Sequence, residues 1–161
     1  MTRLAAVLLF VLLAGACTPV VIPPGDQRQI PVLTDNVLTS FDGARLPLRS
    51  WLPDSEPPRA VILALHGFND YSNAFSAPAD WFAGQNIAVF AYDQRGFGDA
   101  PGHGYWHSET ALTGDVAAAL SVLKTRYPET PVFLLGVSMG GAVALISLTD
   151  PAVRKAINGT V

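Results

Sequence analysis

The chain has 161 residues, of which 50% are hydrophobic and 14% are charged, and its formal net charge is −3. This length is sufficient to bury one core, and the mildly acidic balance provides no basic surface for nucleic acid. The single cysteine excludes a disulfide bond within the chain.

The N-terminus combines a basic residue with a short apolar segment. Arg3 precedes an apolar run over residues 4–13, which is too short to span a membrane and is typical of a secretory signal peptide. Residues 13–17, Leu-Ala-Gly-Ala-Cys, resemble a bacterial lipobox, although Ala14 stands where a larger aliphatic residue is usual. The resemblance implies that residues 1–16 are removed and that Cys17 is lipidated. An ordinary signal peptide or an uncleaved anchor is the alternative.

Residues 17–30 are rich in proline and show no periodicity, which predicts a tether between the anchor and the folded part. Thr18 stands after the cysteine in place of the aspartate that resembles an inner-membrane retention signal. We therefore expect a lipid-anchored protein of the bacterial cell envelope, with the outer membrane favoured.

Strand-like and helix-like patterns alternate from residue 31 onward. The predicted strands cover residues 32–38, 45–52, 60–65, 87–92 and 132–135, and the predicted helices cover residues 77–83, 110–127 and 139–149. Asp42-Gly43 predicts a tight hairpin turn, Ser76 is the expected cap of the first helix, and Asp150-Pro151 the expected end of the third. Residues 156–161 predict another strand. The order predicts an α/β fold with a mostly parallel sheet and an N-terminal antiparallel hairpin.

Residues 136–140, Gly-Val-Ser-Met-Gly, form a G-x-S-x-G motif between a predicted buried strand and a helix. This is the context that a nucleophile elbow requires, and it predicts Ser138 as a nucleophile. Gly136 and Gly140 would allow the sharp turn. An incidental serine in a glycine-rich turn is the alternative interpretation.

The sequence Leu-His-Gly-Phe follows the first predicted buried strand and supplies a second element of the site. An acyl-transfer enzyme stabilises its oxyanion with positioned N–H donors. We expect these donors to be the backbone N–H groups of Phe68 and Met139. His66 and Gly67 belong to the same oxyanion loop, and His66 is interpreted as structural because it precedes the nucleophile.

Residues 65–68, 91–98 and 131–141 together resemble the monoacylglycerol lipase and lysophospholipase-like group, of serine aminopeptidase S33 type, among the α/β-hydrolases. The resemblance implies a serine hydrolase that cleaves acylglycerol-like or lysophospholipid-like carboxylic esters through an acyl-enzyme. It implies an ester or lipid substrate, no cofactor and no metal. Asp93 and Arg95 are implied to shape a loop beside the site. Val137 departs from the family, where many members carry histidine.

Three further side chains are titratable but do not fit a catalytic pattern. His103 and His107 lie in a glycine-rich and aromatic loop that lacks a third metal ligand, so they are interpreted as exposed or loop-packing residues. Asp115 is interpreted as a helix-surface or loop-tethering carboxylate.

The triad that the resemblance implies is incomplete, because its order is serine, acid and then histidine. After Ser138 the sequence has one acidic residue, Asp150, and no histidine. Asp150 lies at the far end of the helix that follows the nucleophile. We therefore expect the acid and the histidine in a C-terminal part beyond Val161, and an inactive chain without them. A non-catalytic, membrane-tethered binding protein with the same fold is the alternative.

Overall fold

The computed structural model describes residues 20–161, so the expected signal peptide and Cys17 lie outside the described residues. The strands are β1 (Val21–Ile22), β2 (Val32–Leu33), β3 (Val37–Thr39), β4 (Arg45–Trp51), β5 (Ala60–Leu65), β6 (Ile87–Tyr92), β7 (Trp106–His107), β8 (Val132–Gly136) and β9 (Gly159–Thr160). The helices are a 3₁₀ turn (Ser72–Phe75), α1 (Ser76–Gly84), α2 (Glu109–Arg126), α3 (Met139–Ser147) and α4 (Pro151–Ala156). No helix in this part is both long and apolar enough to cross a bilayer.

Seven strands form the main sheet in the order β2-β3-β4-β6-β5-β8-β9. The pairs from β2 to β6 are antiparallel, whereas β6, β5, β8 and β9 run parallel. The parallel strands are apolar along nearly their whole length because helices cover both of their faces. This architecture confirms the predicted α/β-hydrolase fold class.

The core lies on both faces of β5, because successive side chains of a strand point to opposite sides. Val61, Leu63 and Leu65 are fully buried against the face that α2 and α3 cover. Ile62 and Ala64 pack on the other face, with Phe75 and Ala79 from the 3₁₀ turn and α1. Leu112, Val116, Leu120 and Leu123 recur every three or four residues in the predicted helix over residues 110–127, and all four are buried in α2.

The predicted strand over residues 32–38 is wrong in one respect, because the structure divides it into β2 and β3. The Thr34 N–H donates to the Val37 carbonyl at 2.9 Å, and the Thr34 hydroxyl accepts from the Val37 N–H at 3.2 Å. These bonds close a turn, and β2 folds back to pair with β3. The predicted hairpin turn at Gly43 is present, with φ of 82°.

Three predicted boundaries also need correction. Ser76 is the first residue of α1 and not its cap, and its hydroxyl donates instead to the Asn73 carbonyl at 2.9 Å. The third predicted helix ends at Ser147, and Asp150 then caps α4 by accepting from the Ala152 N–H at 2.8 Å. The predicted tether contains β1, which pairs in parallel with β7 in a separate two-stranded sheet.

Candidate active site

Ser138 lies on a sharp bend between β8 and α3. Its φ of 52° and ψ of −112° are unusual for a residue other than glycine, and such a conformation persists only where the surrounding structure imposes it. The side chain is exposed and does not cap the helix that it precedes. Strand and helix packing therefore present the Ser138 hydroxyl at the carboxyl end of the parallel sheet.

The two glycines of the motif allow the close backbone approach behind this bend. A β-carbon at Gly136 would lie 2.5 Å from the Gly140 carbonyl oxygen and 2.6 Å from the Gly141 α-carbon. A β-carbon at Gly140 would collide with the Leu65 carbonyl and lie 2.6 Å from the His66 carbonyl oxygen. These contacts are with backbone atoms, which cannot rotate away. The first turn of α3 thus depends on glycine to pack against the end of β5.

The structure brings the oxyanion loop next to Ser138. A β-carbon at Gly67 would lie 3.7 Å from the β-carbon of Ser138, and the Val137 N–H donates to the Leu65 carbonyl at 3.0 Å. The backbone N–H groups of Phe68 and Met139 donate to no carbonyl or side-chain oxygen within residues 20–161. The two amides predicted to hold an oxyanion are therefore without a hydrogen-bond partner in this part of the chain, and their role stays a prediction.

His66 holds the oxyanion loop in place and is fully buried. The Gln94 N–H donates to Nε2 at 2.9 Å, so the ring proton is on Nδ1, which donates to the Gly67 carbonyl at 2.8 Å. The Gln94 side-chain amide also donates to the His66 carbonyl at 2.8 Å. Both ring nitrogens are engaged, which fits the predicted structural role and leaves neither free to act on Ser138.

Burial lowers the pKa of His66 below its usual value of 6.5. The folded state keeps this ring neutral while the unfolded state takes up a proton, so stability is lost as the pH falls below about 6.5 and through the folded pKa. We expect wild-type unfolding free energies between pH 7 and 5 to fall by at most about 1.4 kcal/mol per pH unit for this group. In His66→Asn, the free energy of unfolding measured by urea titration should fall less steeply between pH 7 and pH 5 than in the wild type. An equally steep fall with pH in the variant would contradict the assignment to His66.

A buried ion-pair network fixes the loop after β6. The Arg95 guanidinium donates to both carboxylate oxygens of Asp42 and to both of Asp115, each at 2.7 Å. The Arg95 hydrogen bonds hold the pKa of Asp42 well below its usual range. Asp93, also buried, accepts from the Ser72 and Asp99 N–H groups at 2.9 and 3.0 Å. These side chains tie the hairpin turn, the loop and α2 together near the site.

The other titratable residues named above have packing, capping or exposed positions. Asp115 is buried, so the helix-surface interpretation is wrong and the tethering one applies. His103 is exposed and contacts the Gly98 carbonyl at 2.7 Å, whereas His107 is buried in β7. Asp150 caps α4 at the far end of α3. Across residues 20–161, no three metal-ligating side chains form a group that could hold an ion.

Two apolar clefts lie on either side of the elbow. One, of about 350 Å³, is bounded by Gly67 and Val137 and extends between α1 and the sheet. The other, of about 260 Å³, lies between Trp106, Met139 and the facing side chains of α2 and α3. A group bound at Ser138 would therefore have hydrocarbon-lined space on both sides.

A sheet of this order with a serine elbow at its carboxyl edge defines the α/β-hydrolase class of protein. Known structures share this fold. A carboxyl esterase from Bacillus coagulans superposes with a TM-score of 0.69 at 22% identity, over 79% of this chain and 42% of that chain. A soluble variant of monoglyceride lipase from Saccharomyces cerevisiae has a TM-score of 0.66 at 26% identity, over 88% of this chain and 47% of that chain.

Within this class, the chain belongs to the Hydrolase_4 family, described as serine aminopeptidase S33, whose model matches residues 56–161. Human monoglyceride lipase is 34% identical over 129 residues, which cover 80% of this chain and 42% of that enzyme. A monoacylglycerol lipase from Mycolicibacterium smegmatis is 28% identical over 68% of this chain and 39% of that enzyme. The chain spans between 36% and 42% of the length of the mammalian monoglyceride lipases that it matches.

Sequence reasoning missed two contacts that shape the site. Asp42 was interpreted only as a turn residue, yet its carboxylate binds Arg95 across 53 positions of the chain. No local pattern could have found this pair, because the two residues share no element. The pairing of β1 with β7 was also missed, since strands of two residues show no periodicity.

Proposed function

We propose that the complete protein is a serine hydrolase that cleaves carboxylic esters, with Ser138 as its nucleophile. The observation that carries this proposal is the exposed Ser138 hydroxyl on its positive-φ bend, with the oxyanion loop next to it. Names of the relatives support the same reaction class, because they are lipases and esterases.

In the proposed reaction the Ser138 oxygen attacks the ester carbonyl carbon, and the carbonyl oxygen gains negative charge. The N–H groups of Phe68 and Met139 would stabilise that oxyanion, and one such donor is worth roughly 10²–10³ in rate. The triad histidine would take the serine proton during the attack and give it to the leaving alcohol as the ester C–O bond breaks. Water hydrolyses the acyl-enzyme and restores the serine. The triad histidine and acid are part of the proposed reaction, and residues 139–161 contain no histidine.

We propose acylglycerol-like or lysophospholipid-like esters as the substrate class. The two apolar clefts beside the elbow suit an acyl chain, which is stabilised by burial away from water. Several relatives are named as monoglyceride or monoacylglycerol lipases. No cofactor is part of this proposal.

We further propose that Cys17 is lipidated and holds the protein at the bacterial cell envelope, preferentially at the outer membrane. The proposal depends on the apolar run before Cys17 and on the small residues directly before it. Two acyl chains would give stable attachment, whereas a single chain binds membranes only marginally. Metabolic labelling with palmitate should mark the wild-type protein and leave Cys17→Ser unmarked.

A fluorophosphonate probe on the full-length protein tests the hydrolase. We expect covalent labelling of the wild type and none of Ser138→Ala, because the probe reacts with an activated serine. Ser121→Ala is the matched control, since its hydroxyl bonds to the Ala118 carbonyl within α2 and should not affect labelling. A wild type that does not label would instead support the non-catalytic, membrane-tethered binding protein.

A further inference from the structure

Gln94 has a firmly held backbone, because both of its neighbours in the chain are fixed. On one side the buried carboxylate of Asp93 accepts two backbone N–H groups, and the Asp93 N–H donates to the Pro47 carbonyl of β4 at 2.8 Å. On the other side Arg95 binds two carboxylates. All three residues are at most 5% exposed. The position of Gln94 is therefore set by the sheet and by the ion-pair network.

Gln94 contacts His66 at two points. Its backbone N–H donates to Nε2 of the ring at 2.9 Å, and its side-chain amide donates to the His66 carbonyl at 2.8 Å. A carbonyl oxygen only accepts hydrogen bonds, so the NH₂ group must face it, which determines the orientation of the amide. Both bonds are buried, where a lost partner is costly to replace. One residue at the end of β6 thus holds both the ring and the main chain of His66.

The contact with His66 extends to the peptide unit that carries the Phe68 N–H. The His66 ring donates from Nδ1 to the Gly67 carbonyl at 2.8 Å. That carbonyl and the Phe68 N–H belong to one planar trans peptide unit, so they point in opposite directions. Glycine has unusual backbone freedom, and the hydrogen bond to its carbonyl limits rotation of this unit. The same bond polarises the amide and strengthens its N–H as a donor.

We propose that Gln94 is a positioning residue of the oxyanion hole, which acts through His66 to direct the Phe68 N–H toward the group bonded at Ser138. The inference rests on the proposed hydrolase and names a residue whose effect on the reaction is indirect. The loop that Gln94 orders lies next to the nucleophile, since a β-carbon at Gly67 would lie 3.7 Å from the Ser138 β-carbon. A misplacement of about 1 Å at a reacting centre can cost roughly 10²-fold in rate.

Paired ester and thionoester substrates test this role in the full-length protein. The thionoester of p-nitrophenyl butyrate has sulfur in place of the carbonyl oxygen, and sulfur is a weak hydrogen-bond acceptor. Hydrolysis of the ester therefore depends more strongly on a well-placed Phe68 N–H. Gln94→Met removes the amide donor and nearly preserves the length of the side chain. We expect it to lower the ratio of ester to thionoester kcat/KM roughly 10-fold to 10²-fold.

Two further variants separate positioning from stability, because a loss of folded protein lowers both rates equally and leaves their ratio unchanged. Ser147→Ala is the matched control. It also removes a buried side-chain hydrogen bond, to the Val143 carbonyl at 2.8 Å, but at the end of α3 that is distant from Ser138. Its ratio should equal that of the wild type. Gln94→Asn retains an amide on a side chain one methylene shorter, and its ratio should lie between those of the wild type and Gln94→Met.

The outcomes distinguish failure of the positioning role from failure of the hydrolase. An active wild type whose ratio is unchanged in both Gln94 variants would overturn the role of Gln94 and retain the hydrolase. If Gln94→Met does not fold, Gln94→Asn decides, and a wild-type ratio in that variant overturns the role. An equal fall of the ratio in Ser147→Ala would also overturn it. A wild type that cleaves neither substrate and does not label with fluorophosphonate would refute the hydrolase and the role of Gln94 together.

Discussion

Replacing Arg95 by methionine is expected to lower the free energy of unfolding by about 3–5 kcal/mol at pH 7. The substitution removes four hydrogen bonds and leaves the carboxylates of Asp42 and Asp115 buried without a countercharge. The side chain of Asp115 is almost completely inaccessible to water, so hydration cannot replace the lost partner. Urea unfolding followed by circular dichroism measures this change.

The pH dependence of the Arg95→Met effect provides a second readout. In the wild type the lowered pKa of Asp42 contributes stability above its unfolded pKa of about 4, and this is lost as the pH falls. In the variant both buried carboxylates are stabilised by protonation. We therefore expect the difference in unfolding free energy between the wild type and Arg95→Met to become smaller from pH 7 to pH 4. A difference that does not change with pH would show that unpaired charge is not its cause.

Two variants control for this prediction. Arg28→Met removes an ion pair with Asp26 at 3.5 Å in which both side chains are largely exposed, and it should change stability by no more than about 0.5 kcal/mol. Combining Arg95→Met with Asp42→Asn and Asp115→Asn removes the stranded charges, and this triple variant should be more stable than Arg95→Met alone.

Gly140→Ala is expected to destabilise the fold by about 3 kcal/mol or more. The new β-carbon would meet the Leu65 carbonyl and lie 2.5 Å from the Leu65 carbonyl carbon, so β5 and α3 would have to separate. The elbow between them would then lose the packing that presents Ser138. Thermal unfolding of the variant and the wild type measures the loss.

Gly84→Ala is the matched control for the glycine prediction. Gly84 is the last residue of α1, and a β-carbon added there would have no atom within 4 Å. Alanine is favoured over glycine in a helix, so this variant should be unchanged or more stable by up to about 1 kcal/mol. Similar losses of stability in Gly140→Ala and Gly84→Ala would indicate that the close approach of the β5 backbone is not the reason why position 140 requires glycine.

The central sheet and the bend at Ser138 were predictable because their signals are local. The predicted strands over residues 60–65, 87–92 and 132–135 are continuous apolar runs, and each is a parallel strand in the structure, since strands covered on both faces need no polar alternation. The stripe from Leu112 to Leu123 predicted α2 because buried helical positions recur every three or four residues. The G-x-S-x-G spacing predicted a turn between a strand and a helix, and the structure has that turn.

The features that the sequence analysis missed depend on contacts between distant segments. The β1–β7 pair consists of two residues on each side, and nothing in Val21–Ile22 alone indicates a partner at Trp106–His107. The start of α4 could have been predicted from the sequence. Aspartate is a common helix cap and proline a common first helical residue, which are the positions of Asp150 and Pro151. That pair was interpreted only as a stop, and the helix after it was therefore missed.

The position of β5 between β6 and β8 has a consequence for chain entropy. Pairing β5 with β6 encloses only the short segment that contains α1, whereas pairing β5 with β8 encloses β6, β7 and α2 as well. Closure entropy grows with the logarithm of the enclosed length. The pairing of β8 with β5 therefore has the larger entropic cost of closure. Because β8 leads directly to Ser138, the geometry of the elbow depends on this longer-range pairing.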